Sequence, residues 1–204
     1  MKISIIGTGY VGAVTGACLA ELGHDIVFVG RDTKKLVLIQ SGKSPIYEPG
    51  LDALLEKNIP RITTTVDLPD AIRKTALTFI CVGTPSNPDG SIDLDQVRAV
   101  SHTIGKSLAS ADGHHTIIVK STVLPGTSET LVVPILEKES GKRAFVDFGV
   151  ASNPEFLKEG TAVADFFHSD RVVIGTNDAR SRAVLDELYT PLGAPIYATT
   201  GPRR

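Results

Sequence analysis

Tryptophan is absent from this 204-residue chain, methionine occurs once, and aromatic residues make up only 5%. The core must therefore be built mainly from aliphatic side chains. Two cysteines, Cys18 and Cys81, lie in apolar segments. They are too few for a disulfide framework and read as reduced core thiols of a cytoplasmic protein. His24, His102 and His168 are scattered, and His114-His115 are neighbours in a polar stretch, so no metal site is expected. No apolar run approaches the ~20 residues that cross a bilayer, and Met1-Lys2 passes directly into a strand, so no signal peptide or membrane association is expected. Excess charge is also missing: a net charge of −2 and a pI near 6.2 argue against nucleic acid as a partner.

What is present is a soluble-domain composition, 42% hydrophobic with a mean hydropathy of +0.10. The length suits one large domain or two small ones. The most informative residues come first. Ile3–Ile6 is a short apolar run, Gly7, Gly9 and Gly12 follow with G-x-G-x-x-G spacing, and Tyr10–Leu22 carries Val11, Val14, Cys18, Leu19 and Leu22 at helical intervals. Strand, glycine turn and helix in that order form a dinucleotide-binding signature. Gly7 permits the turn, Gly9 lets backbone approach a pyrophosphate, and Gly12 lets helix pack on sheet.

The second strand, Asp25–Val29, ends at Gly30-Arg31-Asp32, with Lys34 and Lys35 following. An NAD site usually has an acid at this tip for the ribose 2′-hydroxyl, whereas an NADP site drops it and adds an arginine. Gly30-Arg31 tilts the expectation from NAD towards NADP. The alternative is that Asp32 makes the ribose contact and the cations are a solvated helix start.

Strands and helices alternate along the rest of the chain. Helices are expected over Lys34–Gln40, Leu51–Lys57, Asp67–Lys74 (with Asp67 as cap), Leu94–Leu108, Thr127–Lys138 and Ala179–Tyr189. Strands are expected over Arg61–Thr65, Leu77–Val82, Thr116–Lys120, Phe145–Ala151, Arg171–Gly175 and Pro195–Ala198. Continuous apolar strands between helices predict an α/β, Rossmann-like, doubly wound and mainly parallel sheet with helices on both faces. One such domain is expected over residues 1–198, with 199–204 as a tail. In this architecture ligands bind beyond the carboxyl ends of the strands. That rule gathers Gly7–Gly12, Gly30–Asp32, Gly83–Pro85, Ser121–Gly126 and Ser152–Gly160 into one region.

Three of those loops bear candidate groups. Gly83-Thr84-Pro85 can lie under a ribose or nicotinamide, or can simply end a strand. Ser121 and Thr122 place hydroxyls at the next strand tip, either towards a ligand or as a helix cap. Asn153, Glu155, Lys158 and Glu159 crowd one short loop. If 155–159 forms a helical turn, both carboxylates share a side and can divide the tasks of base and water-positioner. The alternative is an exposed charged turn.

Six ordered segments carry a resemblance: Gly-Thr-Gly-Tyr-Val-Gly at 7–12, Ser-Pro-Ile-Tyr-Glu-Pro-Gly-Leu at 44–51, Val-Gly-Thr-Pro at 82–85, Lys-Ser-Thr-Val-Leu-Pro-Gly-Thr at 120–127, Asn-Pro-Glu-Phe-Leu-Lys-Glu-Gly at 153–160 and Asp-Arg-Val-Val-Ile-Gly at 170–175. Together they resemble the N-terminal domain of the UDP-glucose/GDP-mannose dehydrogenase family. The resemblance implies a two-step oxidation of a sugar C6 alcohol to a carboxylate with NAD or NADP. UDP-glucose is the expected substrate and GDP-mannose the alternative. It further implies that Gly7, Gly9, Tyr10, Val11, Gly12, Val82, Gly83, Thr84 and Pro85 hold the dinucleotide, with Lys35 on its adenosine side, where the strand-tip reading above also puts Arg31. Ser121, Thr122 and Glu159 also face the cofactor. Thr122 and Glu159 position a catalytic water, Glu155 is a second active-site acid, and Phe156, Leu157 and Lys158 lie along the nucleotide sugar.

The family's cysteine in a Cys-x-x-Lys-Asp motif, and the lysine and asparagine of its central helix, have no counterpart here. The resemblance therefore implies a cofactor-binding half that is inactive alone, from an enzyme that works as a homodimer. A stand-alone nucleotide-binding module is the competing reading. Other Rossmann oxidoreductases, such as 3-hydroxyacyl or 6-phosphogluconate dehydrogenases, share the glycine turn but give no reason for segments 47–50 and 153–160 to occur together.

Overall fold

The strands β4 (Leu77–Ile80) and β5 (Thr116–Val119) are buried at every residue, which requires cover on both faces of the sheet they share. In the computed structural model, which describes residues 1–200, that sheet has eight strands in the order β3-β2-β1-β4-β5-β6-β7-β8. The others are β1 (Lys2–Ile6), β2 (Asp25–Val29), β3 (Ile62–Thr65), β6 (Gly149–Ser152), β7 (Val172–Thr176) and β8 (Ile196–Thr199). Neighbours pair in parallel except β6 and β7, which are antiparallel through Ala151 opposite Thr176. The doubly wound, mainly parallel α/β architecture expected from the sequence is present. Of the expected tail, Thr199 closes β8, and 201–204 lie outside the described residues.

Two hydrophobic layers sandwich the sheet. Ile3, Ile5, Phe28 and Phe79 face α1 (Tyr10–Glu21), α3 (Leu51–Lys57), α7 (Ala162–Phe167) and α8 (Ala179–Tyr189), with α2 (Thr33–Gln40) at the edge. Ile6, Ile80, Ile117 and Val119 face α4 (Leu68–Lys74), α5 (Asp95–Ala109) and α6 (Val133–Ser140). Phe28, Phe79 and Phe148 are fully buried, each contributing about 2–3 kcal/mol of transfer free energy. Gly7 has φ +107°, outside the range L side chains favour. A Cβ at Gly12 would collide with the carbonyl oxygen of Gly7, so only glycine lets α1 start this close to β1.

Several boundaries differ from expectation for identifiable reasons. The helix expected over 127–138 is a wide π turn at Ser128–Val132 followed by α6. Pro134 has no N–H to return to the preceding turn, so the α-helical ladder is interrupted there. The strand expected from Phe145 begins only at Gly149. Phe145 takes a left-handed φ of 65°, and Asp147 closes a turn by accepting a hydrogen bond from the Arg143 N–H at 2.8 Å. The six-residue α7 was not anticipated. At ~1.5 Å per residue it spans about 9 Å, too little to carry the chain back across the sheet, and β7 therefore starts from the end at which β6 finished.

This topology creates the cleft. From β1 the chain winds outward to β2 and β3, then crosses back to β4 on the other side of β1. The loops leaving β1 and β4 therefore diverge at their carboxyl ends, the switch point where such sheets bind ligands.

Candidate active site

At the switch point lies a cavity of about 610 Å³, bordered by Gly7, Gly9, Gly30, Arg31, Lys35, Val82 and Gly83. α1 opens into its rim with no side-chain cap and no acid in its first turn. The N–H groups of Tyr10, Val11 and Gly12 have no acceptor among the described residues, leaving partial positive charge for an anion. The Tyr10 side chain turns the other way, and Pro85 is exposed beyond the cavity edge. Gln96, on α5, borders the same cavity and was not anticipated, because it lies outside the strand-tip loops.

The adenosine end has a distinct charge pattern. A side chain on Gly30 would start 3.1 Å from the Thr8 methyl group, so Thr8 crowds the position where an acid is usual. Asp32 caps α2, its Oδ1 accepting from the N–H groups of Lys34 at 3.0 Å and Lys35 at 3.3 Å. The acid nearest the strand tip thus has one carboxylate oxygen committed to the helix, while Arg31 and Lys35 line the cavity.

A second cavity of about 450 Å³ adjoins the strand tips of β5 and β6 and is bordered by Lys120, Ser121, Thr122, Pro154 and Glu155. The two regions are latched together. Ser121 Oγ donates to the Val82 carbonyl at 2.7 Å, and Thr84 Oγ1 donates to the Thr122 carbonyl at 2.7 Å. Ser121 and Thr84 therefore fix loop against loop, and the Thr122 hydroxyl stays at an exposed position. Glu155 also borders a third cavity of about 430 Å³ with Phe156, Leu157 and Lys158.

The helical turn considered for 155–159 does not form. After Pro154 the backbone runs without regular structure until a turn at 159–160, and Glu155 Oε2 accepts from the Leu157 N–H at 2.6 Å. Glu155 thus enters the cavities, whereas Glu159 is exposed and borders none of these three. Phe156, 42% exposed, carries the Arg171 guanidinium 4.5 Å from its ring centroid.

A buried carboxylate holds this loop against α1. Tyr10 Oη donates to Glu48 Oε2 and, at 3.2 Å, to the Lys158 carbonyl, while the Gly160 N–H donates to Glu48 Oε2 at 2.8 Å. Burial works to raise the Glu48 pKa. The bonds from Tyr10, Gly160 and the N–H groups of Ala162 and Val163 outweigh it and leave it lowered. Burial, then Glu48, pushes the Tyr10 phenol up to about 12. Segment 44–51 stands out in the sequence, yet Glu48 acquires its purpose only from residues 38 to more than a hundred positions away.

Both cysteines are buried thiols raised by desolvation, Cys81 to about 12 and Cys18 above its ordinary range. Neither is poised as a nucleophile. Among the described residues no cluster could hold a metal ion, and no helix is long and apolar enough to cross a membrane.

A glycine turn opening an uncapped helix at the switch point of a parallel sheet defines a dinucleotide-binding domain of the oxidoreductase type. The sequence profile of the UDP-glucose/GDP-mannose dehydrogenase family, NAD binding domain, matches residues 1–193, and the chain belongs to that family. It is 52% identical over 198 residues to a GDP-mannose 6-dehydrogenase of Pseudomonas syringae pv. tomato, covering 96% of this chain and 45% of that protein. A UDP-glucose 6-dehydrogenase of Bacillus subtilis is 44% identical over 200 residues, covering 97% and 42%. Among solved structures, a ternary complex of GDP-mannose dehydrogenase from Pseudomonas aeruginosa superposes with a TM-score of 0.97 at 45% identity, covering 98% of this chain and 47% of that one. The chain spans about half the length of the relatives it matches.

Proposed function

We propose that the chain is the cofactor-binding half of a nucleotide-sugar 6-dehydrogenase that oxidises a sugar C6 alcohol to a carboxylate. The single observation that carries this reading is adjacency. The cavity at the glycine turn, which Val82 lines, and the cavity holding Thr122 and Glu155, which Ser121 lines, are joined through the Ser121–Val82 hydrogen bond. Residues 1–198 form the functional unit in this reading. The unpaired N–H groups of Tyr10, Val11 and Gly12 suit a pyrophosphate, Gly7 and Gly9 admit its close approach, and Val82 and Gly83 underlie the nicotinamide riboside.

A bound nicotinamide dinucleotide supplies hydride acceptance. The chain's own groups orient and deprotonate: Thr122 Oγ1 and Glu155 can hold a water or hydroxyl between them, while Glu159, exposed and outside the cavities, takes no part in this arrangement. Glu155 with Phe156–Lys158 presents a strip for the sugar nucleotide. GDP-mannose is the preferred substrate on this reading, since GDP-mannose 6-dehydrogenases reach 52% identity against 44% for a UDP-glucose enzyme. UDP-glucose is the second reading, because the loops described carry no group that reads the nucleobase. NADP preference over NAD follows from Gly30, the capping role of Asp32 and the cations Arg31 and Lys35. The oxidation itself and homodimer formation belong to the longer enzyme.

Calorimetric titration tests the first half of this reading: the chain should bind NAD(H) or NADP(H), and Gly12→Val should abolish binding. Absence of any dinucleotide binding by the folded chain would sink the reading. Turnover of a nucleotide sugar by the isolated chain would contradict its assignment as a half-enzyme.

A further inference from the structure

Lys120 is a buried charge to which the reading above gives no task. It follows β5 and is only 5% exposed. Its Nζ donates one hydrogen bond among the described residues, to Asn153 Oδ1 at 3.0 Å, and has no carboxylate partner there. An ammonium has three protons to donate, so two remain unused. Desolvating a cation without a counter-ion is costly, and a methionine of similar shape would avoid that cost. Such a group at the base of a cleft is a functional candidate on physical grounds.

Its surroundings indicate the task. Asn153, 1% exposed, accepts at Oδ1 from both Lys120 and Tyr189 Oη, the latter at 2.5 Å. Its Nδ2 donates to the Val173 carbonyl at 2.9 Å, and its backbone N–H donates to the Val119 carbonyl at 2.9 Å. The chain therefore leaves β6 from a clamped point two residues before Glu155. Lys120 and Glu155 also border the same two spaces, the 450 Å³ cavity that Thr122 lines and a small one of about 40 Å³.

We propose that Lys120 is a positioning residue: through Asn153, and by attraction across the shared cavity, it holds the Glu155 carboxylate towards Thr122. This rests on the dehydrogenase reading given above. The titratable groups around Lys120 are Cys81 after β4, Glu155 on the loop and Tyr189 on α8, with Asp165 of α7 and Arg171 across the small cavity. Burial drives the Lys120 pKa down to about 8, against the upward pull of Cys81 and Glu155. The ammonium predominates at pH 7 and is lost as pH rises through about 8.

The test uses the intact enzyme that carries this domain, with Lys120→Met, Glu155→Gln and the double variant. Lys120→Met should lower kcat at pH 7 at least tenfold while leaving the dinucleotide Kd within twofold. It should also remove an alkaline limb in kcat near pH 8. In the Glu155→Gln background the same substitution should cost less than twofold. Unchanged kcat, or an equal loss in both backgrounds, overturns the proposal.

A second measurement does not depend on turnover. With 13C-lysine labelling of this chain, the signal missing from Lys120→Met should titrate near pH 8, and Glu155→Gln should move its midpoint lower. A midpoint indifferent to Glu155 overturns the proposal, whereas a coupled midpoint in an enzyme that oxidises no nucleotide sugar overturns the functional reading alone.

Discussion

Replacing Lys120 with methionine should make the chain more stable, and the size of the gain follows from the site. A free lysine has a pKa of 10.5, and in the folded chain burial lowers it to about 8. At ~1.4 kcal/mol per pH unit, the charged side chain opposes folding by about 3 kcal/mol at neutral pH. Methionine keeps the hydrocarbon packing and removes that opposition. The lost hydrogen bond to Asn153 Oδ1 returns about 1 kcal/mol, because Tyr189 Oη still donates to that oxygen. The net expectation is a gain of about 2 kcal/mol at pH 7, or roughly 4–8 °C in Tm for a chain of this length.

The pH dependence has a definite sign. Between pH 8 and 10.5 the unfolded chain still binds the lysine proton that the folded chain has released, so wild-type stability climbs relative to the methionine variant as pH rises through that window. Cys81, raised by burial from 9.0 to about 12, acts in the opposite direction above pH 9. Lys120 pulls the Cys81 pKa down, so the methionine variant raises it further, and the comparison is confined to pH below 9, where the thiol stays protonated in both proteins. Urea titrations of both proteins at half-unit steps from pH 7 to 9 measure this difference. A methionine variant less stable at pH 7, or a gap that fails to narrow with pH, would refute the reasoning. A stabilised variant that also loses activity in the intact enzyme is the expected trade at a site selected for chemistry.

Three further outcomes follow. Glu48→Gln or Tyr10→Phe should speed amide hydrogen exchange at Gly160, Ala162 and Val163, with a loss of about 1–3 kcal/mol of stability, since a buried carboxylate anchor is removed or left unpaired; unchanged exchange would show that the loop is held by other contacts. His115 is buried and its pKa is lowered to about 4 by desolvation, so it stays neutral when folded while the unfolded chain protonates near 6.5; stability should fall by about 3 kcal/mol as pH drops from 6.5 to 4, and His115→Gln should flatten that segment of the profile in acid titrations followed by circular dichroism. Arg31→Ala should weaken NADP binding about tenfold and leave NAD within twofold, a contrast that isothermal titration with both cofactors reads directly; equal losses would remove the 2′-phosphate assignment.

Much of the fold was legible because each signal was local. Ile3–Ile6 followed by three spaced glycines dictates strand, turn and helix from contacts within a dozen residues, and Asp67 caps α4 through its own near neighbour, accepting from the Asp70 N–H at 2.9 Å. Non-local effects were not legible. The antiparallel entry of β7 depends on where the chain must travel next, not on the propensity of its residues, whereas the π turn before α6 and the late start of β6 have local causes, at Pro134 and in the turn over 143–147, that the apolar pattern masked.

The same division holds at the site. Sequence by itself determined which loops meet, because parallel strands joined by crossovers deliver their carboxyl ends to one rim, and it marked Gly7–Gly12, Thr122 and Glu155 through their places on those loops. Only the tertiary structure decided which side chains face inward. It sent Glu155 into the cavities and left Glu159 exposed, committed Ser121 and Thr84 to latching, turned the Tyr10 phenol onto Glu48, and buried Lys120 beneath Asn153. The physical reason is range: a glycine turn is decided by steric contacts along a few residues, whereas a buried lysine or glutamate owes its charge state and its partners to groups 33 to 112 positions away.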